Sequence, residues 1–176
     1  MISTTSKLSR IGKWNVLILP SLASSKLPSR GQVMVKGSIN GIEFQTPLEP
    51  DGKGGHWFSP SEHLLKQLNV KVGDELKLEL EVTKDWTEPV IPEDIKRALN
   101  KNPQILAMWN QDITPLARWE WVRWIRSTGN NETRNRRIEV AISKMRSGKR
   151  RPCCWNRNIC SEPEVSKNGL LLEPQY

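Results

Sequence analysis

The chain has 176 residues, enough for one large domain or two small ones with a real core. It is 36% hydrophobic and 26% charged, with no apolar run of about 18 residues, which excludes a transmembrane helix. Residues 1–88 hold 11 Lys/Arg against 10 Asp/Glu and residues 89–176 hold 16 against 9, so nearly all of the net charge of +8 belongs to the second half. That asymmetry points towards an acidic partner such as nucleic acid or an anionic surface.

The opening "MISTTSKLSR" lacks the apolar heart of a secretory signal, so a cytoplasmic location is expected. "KWNVLILP" (Lys13–Pro20) is an apolar run of strand length, ending at a residue that cannot donate to a ladder. A polar connection, "SLASSKLPSRG", has room for a short helical turn. In the next stretch Val33, Val35, Gly37 and Ile39 alternate with Gln32, Met34, Lys36 and Ser38, the period of a half-buried strand. Asn40-Gly41 then supplies the two residues tolerant of positive φ that a type I′ hairpin needs, and Ile42, Phe44 and Thr46 continue the alternation.

"EPDGKGGHWF" is glycine-rich but fails as a phosphate loop: Lys53 lies between the glycines, and His56-Trp57-Phe58 follows instead of Ser or Thr at a helix start. A mobile hairpin loop is the expectation. Lys53, His56 and Trp57 remain a possible ligand loop. "SPSEHLLKQLNV" predicts a short helix with Ser59 as cap, Pro60 at the first position and Glu62 completing a capping box. After the Gly73-Asp74 turn, Leu76, Leu78, Leu80 and Val82 alternate with charged residues as a further strand. His56 and His63 have no carboxylate or Cys at a telling spacing, so no catalytic residue and no metal site is assigned.

"DWTEPVIPED" (Asp85–Asp94) is a linker, and beyond it the period becomes helical. Helices are expected from Pro92 through Leu99, from Pro103 past Trp109, and from Pro115 with Thr114 as cap. Along the third, Ala117, Trp121, Trp124 and Ile125 form one core face; Trp119 and Val122 form a second ridge beside Arg118 and Arg126. Aromatics interleaved with arginines either stack unpaired bases or pack on a neighbouring element. The segment "NNETRNRRIEVAISKMRSGKR" (Asn130–Arg150) predicts an amphipathic helix capped by Asn131 and stopped by Gly148, with Ile138, Ala141, Ile142 and Met145 as its stripe. Taking Ile138 as 0°, Arg136 falls at about 160°, Arg137 at about 260°, Lys144 at about 240° and Arg146 at about 80°, so the cations form no duplex-reading face. Arg134, at about −40°, lies almost inside the stripe. There it either clamps a neighbouring helix through Glu93, Asp94 or Asp112, or binds an anion. Lys149-Arg150-Arg151 is a solvated basic patch able to touch phosphates.

Residues 151–176 show no sustained period and are expected to be mostly irregular, with only Leu170–Leu172 apolar enough to dock. Cys153, Cys154 and Cys160 have no second Cys-x-x-Cys and no neighbouring His, and read as incidental free thiols.

Two stretches resemble known families. "GQVMVKGSINGIEFQTPLEPDGKGGHWFSP" with "LNVKVGDELKLELEVTKD" is similar to a bacterial domain of unknown function that forms a small β-barrel, of a type similar to AbrB-like split barrels. "PEDIKRALNKNPQILAMWNQDITPLARWEWVRWIRS" with "NETRNRRIEVAISKMRSGKR" resembles the YdeI/OmpD-associated, or bacteriocin-protection, family, whose Glu-Thr-Arg and Arg-Arg-Ile motifs match Glu132, Thr133, Arg134, Arg136, Arg137 and Ile138. That family commonly has an Ala-Lys pair before the first motif; "STGNN" stands here, so no role for that lysine transfers. The resemblances imply an α+β chain: a small β-barrel over 12–86, a helical domain over 91–150 and the tail over 151–176. They also imply a role in envelope stress or tolerance of cationic antimicrobial peptides, without cofactor or catalytic residues. The resulting expectation is a non-enzymatic binding or adaptor protein with an unknown protein partner, meeting it through Arg118, Trp119, Arg134, Arg136 and Arg137. The alternatives are nucleic-acid binding by the basic half and a small-ligand or enzymatic barrel using the loop at His56.

Overall fold

The computed structural model describes residues 1–176, which divide into two compact units. The first comprises Met1–Asp85, Arg157–Cys160 and Glu164–Tyr176; the second comprises Trp86–Asn156 and Ser161–Pro163.

The first unit is built on seven strands: β1 (Ile2–Lys7), β2 (Ser9–Ile11), β3 (Trp14–Ile18), β4 (Val33–Ile39), β5 (Ile42–Pro50), β6 (His56–Phe58) and β7 (Glu75–Val82). Two short helices, α1 (Ser21–Ser24) and α2 (Glu62–Leu68), lie between strands. The sheet order is β1-β7-β4-β5-β6-β3-β2, with every pairing antiparallel. The two edge strands are successive pieces of one segment broken only at Leu8, so the sheet curls into a half-barrel as that segment bends along both edges. Leu17, Val35, Ile39, Leu48, Leu78 and Leu80 are fully buried inside the curl.

The Asn40-Gly41 hairpin is present, with φ of 47° and 86°. Asn40 Oδ1 also accepts a 2.8 Å bond from the Lys77 backbone, fastening the turn to β7. At Gly37 the β4–β7 pairing is so close that a Cβ would stand 1.8 Å from the Glu79 carbonyl oxygen, which explains a glycine inside a strand.

Several expectations need correction. Strands β1 and β2 were not foreseen, because two of their inward residues, Ser6 and Ser9, are serines; Ser6 Oγ donates to the Ile18 carbonyl at 2.7 Å. Val82 was expected to face inward but, as the last residue of β7, is 40% exposed. Helix α2 is capped by Ser61, whose Oγ accepts from Leu64 N at 3.2 Å. Ser59 instead donates to the Asn15 carbonyl.

The tail is more ordered than its composition suggests. Strands β8 (Ser166–Lys167) and β9 (Leu170–Leu171) form a hairpin over Asn168-Gly169, both with positive φ. Cys160, Val165 and Leu171 are buried with Ile11, Val16 and Trp57 in a cluster on the other side of the sheet. That second layer explains the unbroken apolar run in β3: Leu17 faces the curl and Val16 faces the tail. The expected mobile loop is correspondingly pinned. Leu171 N donates to the Asp51 carbonyl at 2.9 Å, and a Cβ on Gly52 would meet the Gly169 carbonyl oxygen at 2.0 Å.

The second unit has four helices, α3 (Glu93–Asn100), α4 (Pro103–Gln111), α5 (Pro115–Arg126) and α6 (Asn131–Arg146). Pro103 and Pro115 open α4 and α5, where a missing N–H costs nothing. Thr114 caps α5 as expected, while α6 is capped by Asn130 and not Asn131. Its core gathers Ile95, Leu99, Ile105, Trp109, Trp121, Ile125 and the α6 stripe Ile138, Ala141, Ile142 and Met145. No helix of the chain is long and apolar enough to cross a membrane.

Candidate functional site

The five arginine and tryptophan positions expected to form an interaction surface have different surroundings. Arg118 donates from Nε to the Trp109 carbonyl at 2.9 Å, from a terminal nitrogen to the Asn110 carbonyl at 3.0 Å, and pairs with Glu88. It thus satisfies carbonyls at the end of α4 that no helical N–H reaches. Trp119 donates its indole N–H to the Thr87 carbonyl at 2.7 Å. Arg137 does for α5 what Arg118 does for α4, donating to the Trp124 carbonyl and Ser127 Oγ, both at 2.8 Å, with its guanidinium over the Trp124 ring.

Arg134 makes a two-pronged bond to Asp94, Nε to Oδ2 at 2.6 Å and a terminal nitrogen to Oδ1 at 3.0 Å. This is the helix-to-helix clamp, joining α6 to α3. The hydrogen bond from Arg134 holds the Asp94 carboxyl below its ordinary value. Arg136, by contrast, is exposed. These residues are mainly fittings between helices, with Arg136 facing water.

The loop residues are likewise placed. Lys53 is exposed, pairing with Glu173 at 3.1 Å. His56 is completely buried. Its Nε2 lies 2.9 Å from the Gly31 carbonyl and must carry the proton, so Nδ1 accepts from Ser24 Oγ at 2.7 Å. Burial pushes its pKa below the ordinary value, and the nearby Arg30 charge adds to that. Trp57, 2% exposed, donates to the Pro50 carbonyl and packs edge-on against Trp14. His56 and Trp57 therefore belong to the packed interior and not to an open barrel mouth.

Sequence reasoning missed a polar ridge on α5. Glu120, Arg123 and Arg126 recur every third residue, a spacing that places them along one side of a helix. Glu120 and Arg123 are buried. Glu120 receives a two-pronged bond from Arg151, Arg123 lies over the Trp155 ring, and both Arg123 and Arg126 donate to Ser161 Oγ. Arg151, expected in a solvated patch, is thus engaged with a carboxylate. The signal was legible as Glu-x-x-Arg-x-x-Arg inside the tryptophan-rich segment.

The second unit also has an open groove of about 550 Å³ between α3 and α6. Asp94 meets Arg134 near both helix starts, and Asn102 accepts from Arg146 near both ends at 2.9 Å, so the two helices run side by side in the same direction. Ala98, Ile138 and Ile142 give the groove its apolar floor; Arg97, Lys101, Asn135 and Glu139 stand around it. Arg97 and Lys101 are exposed. The unit carries 14 Lys/Arg against 8 Asp/Glu, a net of +6, whereas the first unit carries 13 against 11.

Comparison with known proteins agrees with the resemblances read from the motifs. Residues 4–80 match the model of a domain of unknown function (DUF1905), and residues 88–148 match that of the bacteriocin-protection, YdeI or OmpD-associated family. No curated protein matches the chain. The two matches follow one another along the two units just described: the chain is a fusion of a DUF1905 domain with a bacteriocin-protection, YdeI or OmpD-associated domain.

Proposed function

We propose that this chain is a non-enzymatic cytoplasmic binding protein acting in tolerance of antimicrobial peptides or envelope stress, and that its helical domain docks an acidic, amphipathic segment of a partner protein. The observation that carries the reading is the α3–α6 groove: an apolar floor of Ala98, Ile138 and Ile142, with the exposed cations Arg97 and Lys101 on its rim. An amphipathic segment buries its apolar face on such a floor, and its acids answer the rim. The family description supplies the physiological setting.

The test is complementation of a deletion strain challenged with a cationic peptide such as polymyxin. Wild type should restore growth and the double variant Arg97→Glu, Lys101→Glu should not, although it folds normally by circular dichroism. Equal protection by both proteins would remove the groove from the mechanism. Nucleic-acid binding is the second reading, favoured by the net +6 of the helical unit. It requires an affinity for duplex that falls steeply with added salt; no retention at low salt eliminates it. Cell fractionation tests the location.

We further take the curled sheet to be of the AbrB-like split-barrel type, supported by the bent β1–β2 segment that pairs with β7 at one end and β3 at the other. An experimental structure in which that segment pairs on one side only would count against it.

A further inference from the structure

Cys153 and Cys154 read as incidental thiols in the sequence, but their surroundings are specific. Both are exposed, while Cys160 is buried. The Lys144 ammonium of α6 donates to Cys153 Sγ at 3.5 Å. Lys144 is itself held over the Trp124 ring, 5.6 Å from its centroid, so the charge is positioned and not merely nearby. Cys154 has a φ of 62°, an uncommon left-handed conformation for a residue with a Cβ.

From this geometry we infer that Cys153 is a thiol-modification site, a nucleophile for low-molecular-weight disulfides, with Lys144 as its positioning residue. The thiolate is the reacting form, and an adjacent cation is what enriches it. The adjacent Cys154 thiol, the hydrogen bond and charge of Lys144 and the charge of Lys149 all lower the Cys153 pKa from its ordinary value.

The Cys153 thiol first releases its proton to water. The thiolate attacks one sulfur of a disulfide RSSR, the S–S bond of the reagent breaks, and a Cys153–S–S–R bond forms as RS⁻ departs with the electron pair. Cys153 is oxidised, one RS group is reduced, and no other reactant is needed. Such a step adds an RS group beside the end of α6, a reversible mark on the helical domain that reports the thiol–disulfide balance around the protein.

The experiment uses the full-length reduced protein with glutathione disulfide, read by mass spectrometry of peptides, and with a chromogenic aromatic disulfide followed in time. Cys153 should be modified first, at pH 7 about tenfold faster than an unperturbed peptide thiol, with Cys160 unreactive until denaturant is added. The fast phase should vanish in Cys153→Ser and persist in Cys160→Ser. In Lys144→Met the rate–pH profile should shift to higher pH, and Lys144→Arg should restore it. A fast phase surviving in Cys153→Ser, a Cys153 rate equal to the peptide thiol, or a profile unmoved in Lys144→Met would each overturn the assignment.

Discussion

Breaking the clamp between Asp94 and Arg134 measures what holds the α3–α6 groove in shape. The Arg134 and Asp94 side chains are 22% and 26% exposed and joined by two hydrogen bonds of 2.6 and 3.0 Å. A fully exposed ion pair contributes less than about 1 kcal/mol, whereas hydrogen bonds to buried charges contribute about 1.5–3 kcal/mol. Partial burial and two-pronged geometry put the coupling between these limits, at about 1–2 kcal/mol, or roughly tenfold in the unfolding equilibrium. The assay is a double-mutant cycle of Asp94→Asn, Arg134→Met and the double variant, with urea unfolding followed by the helical circular dichroism signal that α3 to α6 dominate. Each single change should destabilise, and the double should cost less than their sum.

Acid supplies an independent check. The Asp94 pKa is lowered from 3.8 in the folded chain, so its contribution is complete above that value and is lost as pH falls through the folded pKa. The difference between wild type and Asp94→Asn should therefore shrink only below 3.8. A coupling below about 0.3 kcal/mol would show that the two side chains merely meet at a surface, and the reasoning would fail.

The remaining predictions concern the first unit. Gly37→Ala places a Cβ 1.8 Å from the Glu79 carbonyl oxygen and must part β4 from β7; a loss of at least about 3 kcal/mol is expected in thermal unfolding. Gly52→Ala, with φ +78° and a Cβ 2.0 Å from the Gly169 carbonyl oxygen, should speed hydrogen exchange of the Leu171 amide, whereas Gly54→Ala, with nothing within 4 Å, should cost only about 1 kcal/mol and leave that amide protected. The His56 pKa is lowered from 6.5, so below 6.5 the unfolded state takes up a proton that the folded state refuses, and the unit should lose stability as pH falls from there. His56→Asn should be less stable than wild type at neutral pH yet lack that slope.

The fold was legible wherever one side of an element meets a core and the other meets water. The α6 stripe is of this kind, and so is β4 except at Met34, which lies on the expected outer face yet is buried; burial otherwise selects one residue in two along the strand and three or four in seven along the helix. Strands β1 and β2 broke the rule because Ser6 and Ser9 point inward, with hydroxyls satisfied by the Ile18 and Val16 carbonyls. A polar residue whose bond is made locally can occupy an apolar position, and no pattern of hydropathy reveals it. The tail hairpin was legible by the very rule that found the first one, since Asn168-Gly169 repeats Asn40-Gly41, but strands of two residues show no alternation to draw attention to it.

The arginines expose a different limit. The helical wheel correctly set Arg134 beside the apolar stripe, and an uncompensated charge there demanded a carboxylate, which Asp94 supplies. Arg118 and Arg137 lie off the stripe and look like solvent-facing charges on any wheel. Both nevertheless turn to the last carbonyls of a neighbouring helix, where the final turn leaves acceptors without an intrahelical donor. A wheel gives the direction in which a side chain leaves its own helix. It says nothing of the six ångströms or so of reach that a long guanidinium side chain has afterwards. The basic excess of the helical domain is therefore a poor measure of what it offers a partner, because several arginines are already spent on carbonyls and carboxylates within the domain. What remains free for binding follows from subtracting those bonds, and Arg97, Lys101 and Arg136 are among the exposed cations that survive the subtraction.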